Sequence, residues 1–218
     1  LVMDTSDAWI RSRTGIGARH LATAESLTGL AKQAAIQALE QAGIPAEELD
    51  MILAATISAD KILPSLACEL QRELHATKAV AFDINAACSG FLFALNTADA
   101  YIRSKSCSRI LVVGGEILSR IMDWSDRSTC VLFGDGAGAA VVCADQTDGI
   151  LACVQGSDGA KGEALLCENR RNNNPYVQNR KELSYVSMNG QEVYKFAVRT
   201  VPKAITEAVQ RAGLTLDQ

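Results

Sequence analysis

Seven cysteines occur in this chain, at positions 68, 88, 107, 130, 143, 153 and 167. One of them stands where a thiol can do chemistry. Cys88 lies in AFDINAACSGFLFAL, residues 81–95, between a strand-like run and a helix-like run, with Ala86, Ala87, Ser89 and Gly90 around it. A group in the first turn of a helix meets N–H groups that have no intrahelical partner and the positive end of the helix dipole, and both favour a thiolate. Small neighbours let a substrate carbonyl approach the sulfur, and the N–H of Cys88 itself could then bind an oxyanion. This is the strand–turn–helix layout of a nucleophile elbow. A packing cysteine, where helix meets sheet, fits the same local features equally well.

The other cysteines point to no site. Their number is odd and no CxxC pair exists, so neither a disulfide framework nor a zinc site is indicated. Most sit in apolar runs and read as small buried hydrophobes in a reducing cytoplasm. A second candidate is FGDGAGA, where Gly134, Gly136 and Ala139 fit a loose G-x-G-x-x-A dinucleotide pattern. That fingerprint needs a helix next, and AAVVCAD is strand-like. These glycines therefore read as allowing close backbone packing near a site, with a nicotinamide-dependent α/β enzyme as a distant alternative.

The elements that must position these groups follow from periodicity. DTSDAWIRS, 4–12, begins with several possible caps and reads as a short helix. Over 26–42, Leu27, Leu30, Ala31, Ala34, Ala35, Ala38, Leu39 and Ala42 recur at three- and four-residue spacing, and Gly43 stops the helix. So many alanines require a close neighbour. Strands are expected at 51–58, 79–85, 109–116 and 149–159, and a strand pair or long bent strand at 129–144. Helices are expected from Pro64-Ser65 to Leu74, over 89–104, and from about Asn189 to Ala212 with a kink at Pro202. The polar stretch 160–187 reads as a surface loop. Alternating strands and helices give a layered α/β fold, and fully apolar strands imply a sheet covered on both faces.

Composition sets outer limits. The chain has 218 residues, 48% of them hydrophobic, enough for one large domain or two small ones. A formal net charge of −4 gives no sign of a nucleic-acid or acidic-membrane partner. The longest apolar runs, such as RILVVGG and STCVLFG, fall far short of the roughly 20 residues that span a bilayer. No signal peptide is visible, and the opening LVMDTSD reads as a trimmed start.

AACSGFLFAL resembles the active-site segment of β-ketoacyl-acyl-carrier-protein synthase III, the condensing enzyme that starts type II fatty-acid synthesis. DTSDAWIRSRTGI at 4–16, DRSTCVLFGDGAGAAVV at 126–142 and MNGQEVYKFAV at 188–198 resemble further signatures of that family, in the same order. The resemblance implies a thiolase-like α/β fold of five αβαβα layers, here lacking its first strand and most of its C-terminal half. Residues 1–147 would be the half carrying the nucleophile, and 148–218 the start of the second half. It implies a cytoplasmic homodimer that takes an acyl-CoA and malonyl-acyl-carrier protein, with no metal and no cofactor beyond the coenzyme A of the substrate. A related condensing enzyme of polyketide or secondary metabolism is the nearer alternative.

Residue by residue, the resemblance makes Cys88 the nucleophile. Trp9 and Arg127 would flank the adenine of CoA, and Arg13 would help hold the nucleotide end. Thr5 and Thr14 are weaker candidates on the same wall. Indole and guanidinium planes stack on a base, and arginine grips phosphate. Leu63 falls at the family's acyl pocket, and Gln191 and Tyr194 in its pantetheine segment. The family's catalytic histidine and asparagine match nothing here: His20 and His75 lie outside that motif, and both partners are expected beyond Gln218.

Overall fold

The structure, a computed structural model, describes residues 3–147, 149–169, 172, 174–177 and 184–217. Its contacts fall into two units that interleave along the chain. One comprises His20–Ile117 and Gly134–Cys153, the other Leu1–Arg19, Leu118–Phe133 and Val154–Gln218. Turns 118–133 join the N-terminal helix and the C-terminal third rather than the sheet that surrounds them in sequence.

The first unit is built on a four-stranded mixed sheet of β1 (Met51–Ala55), β2 (Val80–Ile84), β3 (Arg109–Ile117) and β4 (Asp135–Cys143), in the order β2-β1-β3-β4. β1 pairs parallel with both β2 and β3, and β3 pairs antiparallel with β4. Three helices cover it: α2 (Leu27–Ala42), α3 (Leu66–Glu73) and α4 (Gly90–Arg103), numbered after the N-terminal helix α1 (Asp7–Thr14) of the other unit.

Period-two alternation divides the strand residues between two cores. Ile52 and Ala54 of β1, with Leu111 and Val113 of β3, pack against α2 and α3. Met51, Leu53 and Ala55, with Ile110 and Val112, pack against α4. The chain passes from β1 through α3 to β2 in one direction, then through α4 back past β1 to β3 in the other. Right-handed crossovers of opposite sense place their helices on opposite faces of a sheet, which is the arrangement here.

The alanine stripe has its close neighbour. Leu27, Ala31, Ala35 and Leu39, spaced by four, are the buried residues of α2. Ser26 caps that helix by accepting the Gly29 N–H, and Gly43 ends it at φ 65°. The Asp60 carboxylate adds a second cap, accepting from the Leu27 and Thr28 N–H groups. α3 is capped in the same double fashion, by Ser65 and by Asp83, which accepts from Leu66 and Ala67. Each such cap is worth about 1 kcal/mol.

The second unit holds α1, the turns through 118–133, a 3-10 helix at Gly159–Ala164, the short pair β5 (Leu165–Leu166) and β6 (Ser187–Met188), and α5 (Gly190–Arg211). Its core is Ile10, Met122, Cys130 and Val131, with Met3, Trp9, Trp124, Phe133 and Val186 packed around them. α5 continues as one helix through Pro202, where the sequence suggests a kink, and buries none of its residues among those described.

Three sequence expectations change. Residues 129–132 form turns, not strand, because their backbone groups are already bonded locally: the Cys130 N–H donates to Asp126 O and the Leu132 N–H to Thr129 O. Only Asp135–Cys143 of the expected 129–144 strand is extended. The expected strand at 149–159 is absent among the described residues, where no neighbouring strand offers it a ladder; residue 148 lies outside them. Within 160–187 the chain carries the 3-10 helix and the β5–β6 pair, and residues 170, 171, 173 and 178–183 of that expected loop lie outside the description.

Candidate active site

β2 ends at Ile84, and four residues later the chain reaches Cys88 in a single 3-10 turn, Ala87–Ser89, which runs directly into α4. The turn is closed by the Ser89 N–H donating to Ala86 O at 3.2 Å. Ala87 is held at φ 45°, a left-handed conformation in a residue that has a β-carbon. Such a residue costs on the order of 1–3 kcal/mol and persists only where its surroundings over-determine it. Cys88 is exposed.

Those surroundings can be named. A β-carbon added at Gly90 would lie 3.0 Å from Ala55 Cβ, so the start of α4 rests directly on the last residue of β1. A β-carbon at Gly114 would lie 3.0 Å from the Phe91 ring, so Phe91 seats on β3 in the same way. Glycine is needed at both places for close approach. At Gly136 and Gly138, by contrast, an added β-carbon meets nothing within 4 Å. At these two positions close packing among the described residues does not require glycine, although Ala137, Ala139 and Val141 of the same strand pack against the core. Among the described residues no α-helix follows β4 directly, as the dinucleotide fingerprint would need.

A carboxylate ties the carboxyl ends of the parallel strands together. Glu116, near the end of β3, accepts from the Thr56 hydroxyl, the Ser58 hydroxyl and the Ile57 N–H just past β1. Ser58 Oγ accepts the Ile117 N–H at 2.8 Å, and the Thr56 N–H donates to Ile84 O at 3.3 Å. β1, β2 and β3 are thus cross-linked just below the segment that carries Cys88. This sheet edge, outside the carboxyl ends of parallel strands, is where open α/β sheets place ligands.

Of the remaining thiols, Cys143 and Cys167 are exposed, Cys68, Cys107 and Cys153 partly buried and Cys130 buried. Burial pushes the Cys107, Cys130, Cys143 and Cys153 thiols above the ordinary range. Cys130 is 1% exposed. His75 follows α3 ahead of β2, whereas Cys88 follows β2, so a full strand separates the two. His20 precedes α2 and uses its carbonyl to accept the Asp135 N–H.

The second unit assembles the other candidates. Trp9 and Arg13 share one face of α1, four residues apart. The Arg127 guanidinium carbon stands 5.0 Å from the Trp9 ring centroid, a cation–π contact, and Nη1 donates to Asp4 O at 2.9 Å. Thr5 Oγ1 is a buried side-chain oxygen with no partner among the described residues. Thr14 is already engaged, donating to Ile10 O and accepting the Ile16 N–H. Arg13 is exposed, Tyr194 is 69% exposed on the first turns of α5 beside Gln191, and Leu63 is 84% exposed ahead of α3.

A family model described as 3-oxoacyl-[acyl-carrier-protein] synthase III matches residues 82–159, which hold both the Cys88 joint and Arg127. The β-ketoacyl-[acyl-carrier-protein] synthase III of Clostridium acetobutylicum is 44% identical over 217 residues, 99% of this chain and 67% of the relative. The chain belongs to the β-ketoacyl-acyl-carrier-protein synthase III family. A second synthase III, from Clostridium kluyveri, is 42% identical over 218 residues. The crystal structure of the synthase III of Aquifex aeolicus superposes with a TM-score of 0.90 at 44% identity, over 98% of this chain and 66% of that one. The priming β-ketosynthase of the R1128 polyketide pathway also gives a TM-score of 0.90, at 35% identity over 99% of this chain. The fold is accordingly thiolase-like α/β, and the chain spans about two thirds of the length of the synthase III relatives it matches.

Three features of this chain escaped the sequence reading. The positive φ at Ala87 has no residue-type signal, since alanine is not a left-handed former. The Glu116 network joins residues about 60 apart in the chain. The turns around Arg127 did have a signal: D-x-S occurs twice, at Asp123–Ser125 and Asp126–Ser128, and each aspartate accepts from the serine two residues on.

Proposed function

We propose that the protein catalyses the initiating condensation of fatty-acid synthesis, as an acyltransferase that works through a Cys88 thioester. The Cys88 thiolate attacks the carbonyl of an acyl-CoA, the carbon–sulfur bond to CoA breaks, and CoA departs as the thiol after taking a proton. Malonyl-acyl-carrier protein then loses CO₂. The electron pair of the broken carbon–carbon bond forms the new bond to the acyl carbonyl, releasing the Cys88 thiolate and a β-ketoacyl-carrier protein. Dividing the transfer in this way replaces one hard step with two easier ones. The observation that carries the reading is the exposed Cys88 on a strained turn, seated through Gly90 on the strand ends, in a chain of this family.

Trp9, Arg127, Arg13 and Thr5 receive the nucleotide end of CoA. The Thr5 hydroxyl is a buried oxygen with no partner among the described residues and so has bonding capacity to give. A base held between two planes needs them about 7 Å apart, two contacts of roughly 3.5 Å each. At 5.0 Å, Arg127 and Trp9 are closed on one another. Binding a base between them therefore requires the guanidinium to swing off the indole. Coenzyme A arrives as part of the substrate, and no other cofactor enters the scheme. The protein works in the cytoplasm as a homodimer.

The test is intact-mass and peptide analysis after incubation with acyl-CoAs. An acyl adduct on Cys88, absent in Cys88→Ala, is expected; a stable adduct elsewhere, or none, refutes the reading. The likeness to the polyketide priming ketosynthase favours one second reading, condensation for secondary metabolism. Comparing turnover with carrier proteins of the two pathways separates the two.

A further inference from the structure

Arg127 is exposed and its side chain is long, so its place over Trp9 depends on the backbone that carries it. That backbone is fixed to an unusual degree by its neighbour. One Asp126 carboxylate oxygen accepts the Ser128 N–H, and the other accepts the Ser128 and Thr129 hydroxyls, all three at 2.9 Å. The Asp126 carbonyl accepts from the Thr129 and Cys130 N–H groups, and its own N–H donates to Asp123 O. Thr129 is fully buried, and Cys130 and Val131 belong to the core that also holds Trp9. A single carboxylate thus anchors both flanks of Arg127 to the packed residues under the indole.

We infer that Asp126 is a positioning residue for coenzyme A recognition, holding the 126–129 turn so that Arg127 addresses the nucleotide across Trp9. This rests on the reading that Trp9 and Arg127 receive the nucleotide. The turn stays put while the guanidinium swings, because the bonds that fix it involve the Asp126, Ser128 and Thr129 groups and none from Arg127. Asp126 touches no substrate. Its effect passes entirely through Arg127, which separates it from a group that binds CoA directly and from one that only stabilises the fold.

The experiment measures acylation of Cys88 by the same acyl group carried on CoA or on pantetheine, which has the thiol arm without the nucleotide. For Asp126→Ala, KM for the CoA donor should rise about tenfold, the scale of one hydrogen bond to a charged group. The rate with the pantetheine donor should not change. Asp126→Asn keeps an acceptor for the Ser128 N–H and should recover most of the loss. The double variant Asp126→Ala/Arg127→Ala should be no worse than Arg127→Ala alone. An equal loss with both donors would mean a merely structural role and overturn the inference. So would wild-type CoA kinetics in Asp126→Ala while Arg127→Ala is impaired. If Arg127→Ala itself leaves CoA kinetics unchanged, the nucleotide reading fails, and the inference with it.

Discussion

Replacing Gly90 by alanine should separate the stability of this fold from the aim of its thiol. The added β-carbon would stand 3.0 Å from Ala55 Cβ, where carbon atoms prefer about 3.5–4.0 Å, so one of the two must retreat by roughly half an ångström. Ala55 cannot readily do so: it is 5% exposed and bonded between β2 and β3. α4 moves instead, and with it the turn that carries Cys88. Alanine in place of glycine in a helix contributes about 1 kcal/mol, while overpacking costs about 1–3 kcal/mol. The net loss of stability should be at most about 2 kcal/mol, a thermal shift of several degrees in a chain of this size. Acylation should suffer more, by about tenfold, since a misplacement of 1 Å can cost about 100-fold. Melting curves and the rate of Cys88 acylation read the two effects separately. Ala55→Gly removes the opposing methyl, so the double variant should regain acylation even though glycine weakens the strand by about 0.5–1 kcal/mol. Wild-type acylation in Gly90→Ala, or no rescue by Ala55→Gly, would refute the argument.

Limiting iodoacetamide near pH 8 should label Cys88 ahead of Cys107, Cys130, Cys143 and Cys153, whose thiols burial pushes up; peptide mapping that finds Cys130 or Cys143 first contradicts this. Raised thiols of this kind support the fold below the ordinary thiol range and stop doing so as pH rises through their folded values, so stability should decline on the alkaline side, with less decline in Cys107→Ala and Cys153→Ala. Trp9→Ala should weaken CoA by roughly 1–3 kcal/mol, the usual scale for losing a base–aromatic stack, with Cys88 still reactive toward a small alkylating agent. Calorimetry showing unchanged CoA affinity in both Trp9→Ala and Arg127→Ala would place the nucleotide elsewhere.

Much of the first unit was legible because its signals are local and agree with one another. The apolar stripe over 26–42 and Gly43 after it define α2 to within a residue, and Pro64-Ser65 marks the start of α3 as closely. The Cys88 joint was legible for the same reason: an apolar strand, small residues and an apolar helix follow in order. Where the reading failed, apolar composition was taken as extension. Thr129, Cys130 and Val131 are as buried as a core strand, but the Thr129 and Cys130 N–H groups already donate to Asp126 O. GILACVQGSDG carries a short continuous apolar run like a buried strand, yet a strand exists only beside another, and a sequence window cannot show the neighbour. The contact of Arg127 with Trp9 joins residues 118 positions apart, and only the family resemblance brought them together beforehand.

The strained turn before Cys88 also bears on what happens after the first chemical step. A nucleophile aimed by hydrogen bonds to its own S–H loses that aim once the hydrogen is replaced by an acyl group. Here the direction of the side chain is set by Ala87 at φ 45°, by the Ser89-to-Ala86 bond and by Gly90 resting on Ala55, and the sulfur takes part in none of these. Free thiol and loaded thioester therefore share one main-chain geometry. On the proposed mechanism the centre would not need to re-form between loading and condensation, and the carbonyl to be attacked would be presented on the same stem that captured it.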